Sequence, residues 1–118
     1  MKNFTLDTKI RDGVAVLHPH GYLNNIVAEK LEKECGEFMK QGVQKILLNF
    51  NDIEYINSIG ISILLGVIES IRTADGALCF SNLSNVHSET FEMIGLRDYM
   101  QIFSNEDEAL AYLLGGTR

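Results

Sequence analysis

The sequence predicts an α/β fold: one domain with a mixed, mostly parallel sheet packed with helices. Three observations lead there. Short apolar runs of strand length alternate with longer stretches whose apolar residues recur every three to four positions. Gly and Asx residues stand at the junctions between them. The 118 residues, 46% hydrophobic with a single proline, suit one core, residues 1–118, at about 100–200 residues per domain.

The elements follow in order. Phe4, Leu6 and Ile10 alternate with polar residues, as in an edge strand. Asp12-Gly13 makes a short hairpin turn, and Val14-Ala15-Val16-Leu17 is a more buried strand. Asn24 or Asn25 caps a helix with apolar positions Val27, Ala28, Leu31, Cys35, Phe38 and Met39, which Gly42 stops. Ile46-Leu47-Leu48 reads as a strand covered on both faces. A second helix begins near Ser58 and ends at Asp75-Gly76; it is apolar around most of its circumference and should be largely buried. Ala77 to Phe80 is a strand, Ser84 to Ile94 a helix stopped by Gly95, and Gln101-Ile102-Phe103 the last strand. Ser104 caps the closing helix, with Asp107 in the capping-box position and Leu110, Leu113 and Leu114 on its apolar face. The order is ββαβαβαβα, with right-handed crossovers between parallel strands. Leu31, Phe38, Ile46, Leu48, Leu64, Ile68, Leu78 and Phe80 are the expected core.

Composition narrows the function. Sixteen acids against ten bases give a net charge of −6, and no cluster of Lys and Arg offers a footprint for a phosphate backbone, so nucleic acid is not an expected partner. Cys35 and Cys79 lie in no metal or redox spacing and read as free buried thiols. The N-terminus lacks an apolar signal region. The longest apolar stretch, Ile59 to Ile71, is broken by Gly60, Ser62, Gly66, Glu69 and Ser70 and falls short of the ~20 residues of a membrane span. A cytoplasmic domain without direct membrane insertion is expected.

Candidate chemistry is sparse. His18 and His20 flank Pro19 and point the same way in an extended segment, but two ligands do not make a metal site, and His87 lies far along the chain. No metal and no cofactor are expected. The carboxylates Asp52/Glu54 and Glu106/Asp107/Glu108 read as solvated charge or helix-start charge. No nucleophile elbow, zinc-protease motif or Gly-rich phosphate loop occurs, and the chain does not read as an enzyme. The segment Ile56-Asn57-Ser58-Ile59-Gly60 is of more interest. It joins a strand to a helix at the strand's carboxyl end, where α/β folds meet their ligands, with Ser58 as helix cap and Gly60 allowing close packing on the sheet.

From Ser58 outward the chain resembles the STAS domain, the module of bacterial anti-sigma factor antagonists and of the cytoplasmic tails of sulphate transporters. The resemblance rests on an ordered set of segments. Gly21-Tyr22-Leu23-Asn24 follows the second strand, Ile46 to Phe50 forms the third, and Tyr55 to Ile61 leads into an apolar helix. Gly76 to Asn82, Ile94-Gly95-Leu96, Ile102-Phe103 and Glu106 to Ala109 complete it. It implies a regulatory binding module. In the antagonists the Ser or Thr of an Asp-Ser/Thr-x-Gly motif is phosphorylated by an anti-sigma factor or serine kinase with a histidine-kinase-like ATPase fold, and a serine phosphatase restores it. By position, Ser58 is then the phosphoacceptor and Asn57 and Gly60 frame it. Tyr22, Leu23, Asn24 and Asn25, with Ile56, Ile59, Ile61 and Ser62, form the expected docking face. This chain departs from the pattern at positions 24, 49 and 57, where Asn stands in place of the usual Asp. The neighbourhood of Ser58 loses negative charge while keeping hydrogen-bonding reach. The alternative is a STAS scaffold or accessory subunit of a transporter or sensory complex, in which Ser58 is never phosphorylated.

Overall fold

In the computed structural model, residues 5–98 and 100–115 are described; Phe4 of the first alternation lies outside them. The chain runs β1 (Thr5–Arg11), β2 (Val14–Leu23), α1 (Asn25–Lys40), β3 (Lys45–Asn49), β4 (Asp52–Ile56), α2 (Ser58–Thr73), β5 (Ala77–Ser81), α3 (Asn85–Met93), β6 (Gln101–Phe103) and α4 (Glu106–Leu113). A 3-10 turn, Leu96–Asp98, precedes β6. The six strands form one sheet in the order β1-β2-β3-β5-β6, with β4 also paired to β2. The β1–β2 hairpin is antiparallel and every other pairing is parallel, as the sequence predicts. The tight turn works because Asp12 and Gly13 both adopt positive φ (53° and 85°), which matches the twist of the flanking strands.

One element was not expected. Asp52 to Ile56, to which no strand is assigned above, is a short strand that takes over from β3 as the parallel neighbour of β2: β3 pairs with residues 15–17 and β4 with residues 20–23. The β4 register skips Glu54, since Gly21 faces Ile53 while Tyr22 faces Tyr55. Such a bulge turns the side-chain alternation over by one position. Ile53 and Ile56 therefore both pack on the core, whereas Asp52 and Tyr55 are exposed and face His20 and Tyr22 across the strand pair.

The sheet divides the core in two. Ala15, Leu17, Ile46, Leu48, Leu78 and Phe80 pack beneath α1, α2 and Phe91 of α3. The alternate residues Val14, Val16, Leu47, Cys79 and Phe103 meet Ala109, Leu110 and Leu113 of α4. The expected core residues are buried, with Phe38 only partly so. Cys35 and Cys79 are free thiols whose pKa burial pushes up to about 12, which makes them inert near neutrality. Among the described residues no helix is long and apolar enough to cross a membrane.

Candidate functional site

The carboxyl ends of β2 and β4 lie side by side, and each feeds a helix through an asparagine. Asn24 caps α1, its Oδ1 accepting from the backbone N–H groups of Ile26 (3.0 Å) and Val27 (3.1 Å). Asn57 caps α2, its Oδ1 accepting from Gly60 N–H at 2.7 Å. The two caps are tied together, since Asn57 N–H donates to the Leu23 carbonyl at 3.1 Å. Gly60 completes the junction. A Cβ there would collide with the Leu23 carbonyl oxygen, so the first turn of α2 sits against β2 only because residue 60 has no side chain.

This corrects the role of Ser58. It is the first residue of α2, not the cap; Asn57, which matches Ser as a capping residue, holds that post. Ser58 is exposed, and among the described residues its hydroxyl makes no hydrogen bond. It stands at the positive end of the helix, and neither α1 nor α2 carries an acidic residue in its first turn. The cap of α4 shifts in the same way: Asn105, not Ser104, accepts from Glu108 N–H at 2.8 Å.

The surroundings of Ser58 are apolar and exposed. Of the two α2 isoleucines on the expected docking face, Ile59 shows 55% of its surface and Ile61 is half-buried. Ser62, Asn25 and Tyr22 are exposed, and Asn24 and Ile56 are half-buried. Leu23 is fully buried in the core, so its side chain is no part of a surface. Two exposed residues escaped the sequence reading: Tyr55, at 66%, meets Tyr22 edge-on with ring centroids 5.9 Å apart, and Ile26, at 56%, opens α1. The bulge in β4 is what brings Tyr55 out, and only knowledge of that strand's pairing would have revealed it.

Asn49 also acquires a reason. Its amide Nδ2 donates to Glu106 Oε1 at 2.9 Å, while its Oδ1 accepts from Asn51 N–H. Glu106 opens α4, as helix-start charge does, but it is not solvated: its side chain is 15% exposed and pairs with Arg11 and Lys9. Burial alone would raise the Glu106 carboxyl, but the Asn49 amide and the two cations together hold it below its ordinary value. Aspartate at 49 would set two carboxylates against each other. His87 is buried in α3 beside the backbone of Glu54, the bulge residue; burial lowers its pKa, and that backbone offsets part of the shift. It does not join His18 and His20, which stand together on β2.

An α/β domain whose candidate site is a ledge of two capped helices is the class that fold and site define together. The STAS domain model matches residues 5–109, and the chain belongs to that family. Among its relatives, BtrV of Bordetella bronchiseptica is 27% identical over 100 residues, covering 85% of this chain and 86% of its own. The anti-sigma-B factor antagonist of Staphylococcus aureus is 23% identical over 100 residues, covering 85% and 93%. Among solved structures, the anti-sigma factor antagonist SpoIIAA superposes in its unphosphorylated form with a TM-score of 0.73, at 20% identity and 96% and 99% coverage. The phosphorylated form, from Bacillus, gives 0.72 at 21% identity and 94% and 99% coverage. A sulfate transporter family protein from Wolinella succinogenes gives 0.79 at 20% identity, covering 90% and 88%. At these identities the structural likeness establishes the fold.

Proposed function

We propose that this protein is a regulatory binding module of the anti-sigma factor antagonist kind. It docks an anti-sigma factor or serine kinase of histidine-kinase-like fold through the ledge around α2, and phosphorylation of Ser58 switches the docking off. The observation that carries the reading is the exposed Ser58 hydroxyl, which the fold does not use, at a helix N-terminus beside Ile59 and Tyr55. A phosphate there adds about −1.5 to −2 charge at a place the helix dipole favours. The folded domain tolerates it, while a partner seated on the apolar residues must desolvate or expel it. A few kcal/mol of such cost weakens binding by about two orders of magnitude, at 1.4 kcal/mol per tenfold. A serine phosphatase would reset the switch.

The test is incubation with the purified partner and ATP, followed by mass spectrometry, and calorimetry on two variants. One phosphate on Ser58, retained binding by Ser58→Ala and loss of binding by a folded Ser58→Glu are the expected results. Should Ser58→Glu bind like the wild type with no phosphate on Ser58, the second reading takes over: a docking subunit of a transporter or sensory assembly without a kinase cycle. The uncharged Asn57 beside Ser58 is the feature that favours it, since a kinase that reads an acidic residue there would lose its contact.

A further inference from the structure

On the face of the sheet that carries Val14 and Val16, and past the residues that α4 covers, β2 presents His18 and His20 two residues apart. Their rings stack with centroids 4.8 Å apart and an interplanar angle of 14°. The strand that sequence alone does not reveal supplies a third group: Asp52 opens β4 directly opposite His20. One oxygen, Asp52 Oδ2, lies 2.9 Å from His18 Nε2 and 3.5 Å from His20 Nδ1. We propose that His18 Nε2, His20 Nδ1 and Asp52 Oδ2 form a binding site for a divalent transition-metal ion, zinc being the probe of choice.

Three features argue for a ligand set over a chance cluster. First, His18 Nε2 is buried and has no hydrogen-bond partner among the described residues, although a carboxylate oxygen stands 2.9 Å away. The two atoms form no N–H···O bond despite that distance, and a shared cation between them would satisfy both. Second, the separations suit one ion. Two ligands of a tetrahedral zinc with bonds near 2.0 Å lie about 3.3 Å apart. The donor atoms of the three residues all fall within 4.8 Å of one another, so a modest turn of the imidazoles closes the set. Third, the outer contacts are in place. His20 Nε2 is 3.0 Å from Asp7 Oδ2 on β1, and Asn51 Nδ2 donates to Asp52 Oδ1 at 3.2 Å. Each contact occupies the atom that would not bind metal and leaves the other facing inward, the carboxylate–histidine arrangement that fixes tautomer and ring orientation at metal centres. Two imidazoles and a carboxylate suit zinc, cobalt or nickel better than calcium or magnesium, and leave a fourth position for water.

The experiment is titration of the full chain, free of any histidine tag, with zinc chloride, and with cobalt chloride as a spectroscopic probe. The expected result is one equivalent per chain, the intense visible absorption of tetrahedral cobalt, and imidazole NMR shifts at His18 and His20 with His87 unmoved. Protons compete with the metal for the imidazole nitrogens, so binding should weaken in acid. Asp52→Ala should abolish the cobalt spectrum, and Asp7→Asn should weaken zinc binding about 10–100-fold while preserving that spectrum. His18→Asn should also abolish it; if that half-buried substitution does not fold, the more exposed Asp52 carries the same test. No saturation at millimolar free zinc overturns the proposal. So does binding indifferent to Asp52→Ala, or shifts centred on His87.

Discussion

At position 57 an amide oxygen does what a serine hydroxyl was expected to do one residue later, and the consequence for the switch is direct. Because Asn57 Oδ1 already holds the Gly60 N–H, Ser58 can be changed or modified without uncapping α2. Asn57→Ala should cost about 1 kcal/mol of stability, the usual loss of a good cap, whereas Ser58→Ala should change stability by less than about 0.5 kcal/mol, the usual effect of a surface substitution. Urea unfolding of the two variants checks this, and an equal loss at both positions would return Ser58 to the capping role. Asn49 makes a similar case. Asn49→Asp replaces an amide that donates to Glu106 by a carboxylate that repels it. The loss should be about 1–3 kcal/mol at pH 7, the range for a buried polar group left without its partner. It should shrink in acid, as one of the two carboxyls takes up a proton. Chemical denaturation at pH 7 and pH 4 separates that outcome from simple misfolding.

Between elements, the informative joint is that of α3 with the bulge in β4. His87 of α3 lies beside the backbone of Glu54, and burial lowers its pKa from the ordinary 6.5. A histidine with a lowered folded-state pKa binds protons better once unfolded. Its contribution is therefore fully present above about pH 6.5 and is lost as pH falls through the folded value. Thermal unfolding should show that decline in the wild type and a shallower slope in His87→Asn; an unchanged slope would remove His87 from the account. The same joint marks what sequence could not reveal. The strands β2, β3 and β5 were legible because unbroken apolar runs need two covering layers. Asp52-Ile53-Glu54-Tyr55-Ile56 shows no such run, and what makes it a strand is a pairing with β2 that depends on the whole sheet. Missing that strand also hid the exposure of Tyr55 and the place of Asp52 beside the two histidines. At both shifted caps an asparagine adjoins a serine, and the two residue types cap equally well, so the choice falls to the geometry of the preceding strand.

Over the whole molecule, the residues that hold the fold and those proposed to meet a partner are different sets. Buried Leu23, Val27, Leu64 and Ile68 build the core beneath the ledge, and Tyr22, Ile26, Tyr55 and Ile59 stand outside it. The ledge was legible as a neighbourhood, from Ser58 and the strand-to-helix turns, but not in its membership: Leu23 points inward, and Tyr55 and Ile26 belong with the exposed set. Large apolar side chains left in the open beside an exposed serine are what a transient interface uses, with tyrosine among the residues that contribute most when buried by a partner. Replacing Tyr22 and Tyr55 together by serine removes an edge-on ring contact and little else from the folded domain, so stability should fall by no more than about 1.5 kcal/mol. Affinity for the proposed kinase-fold partner should fall at least tenfold, since a central aromatic anchor typically contributes about 2 kcal/mol or more. Calorimetric titration beside urea unfolding reads both quantities on one preparation. A variant that keeps its affinity would place the docking surface on another part of the domain, and one that unfolds would mean the tyrosines serve the fold.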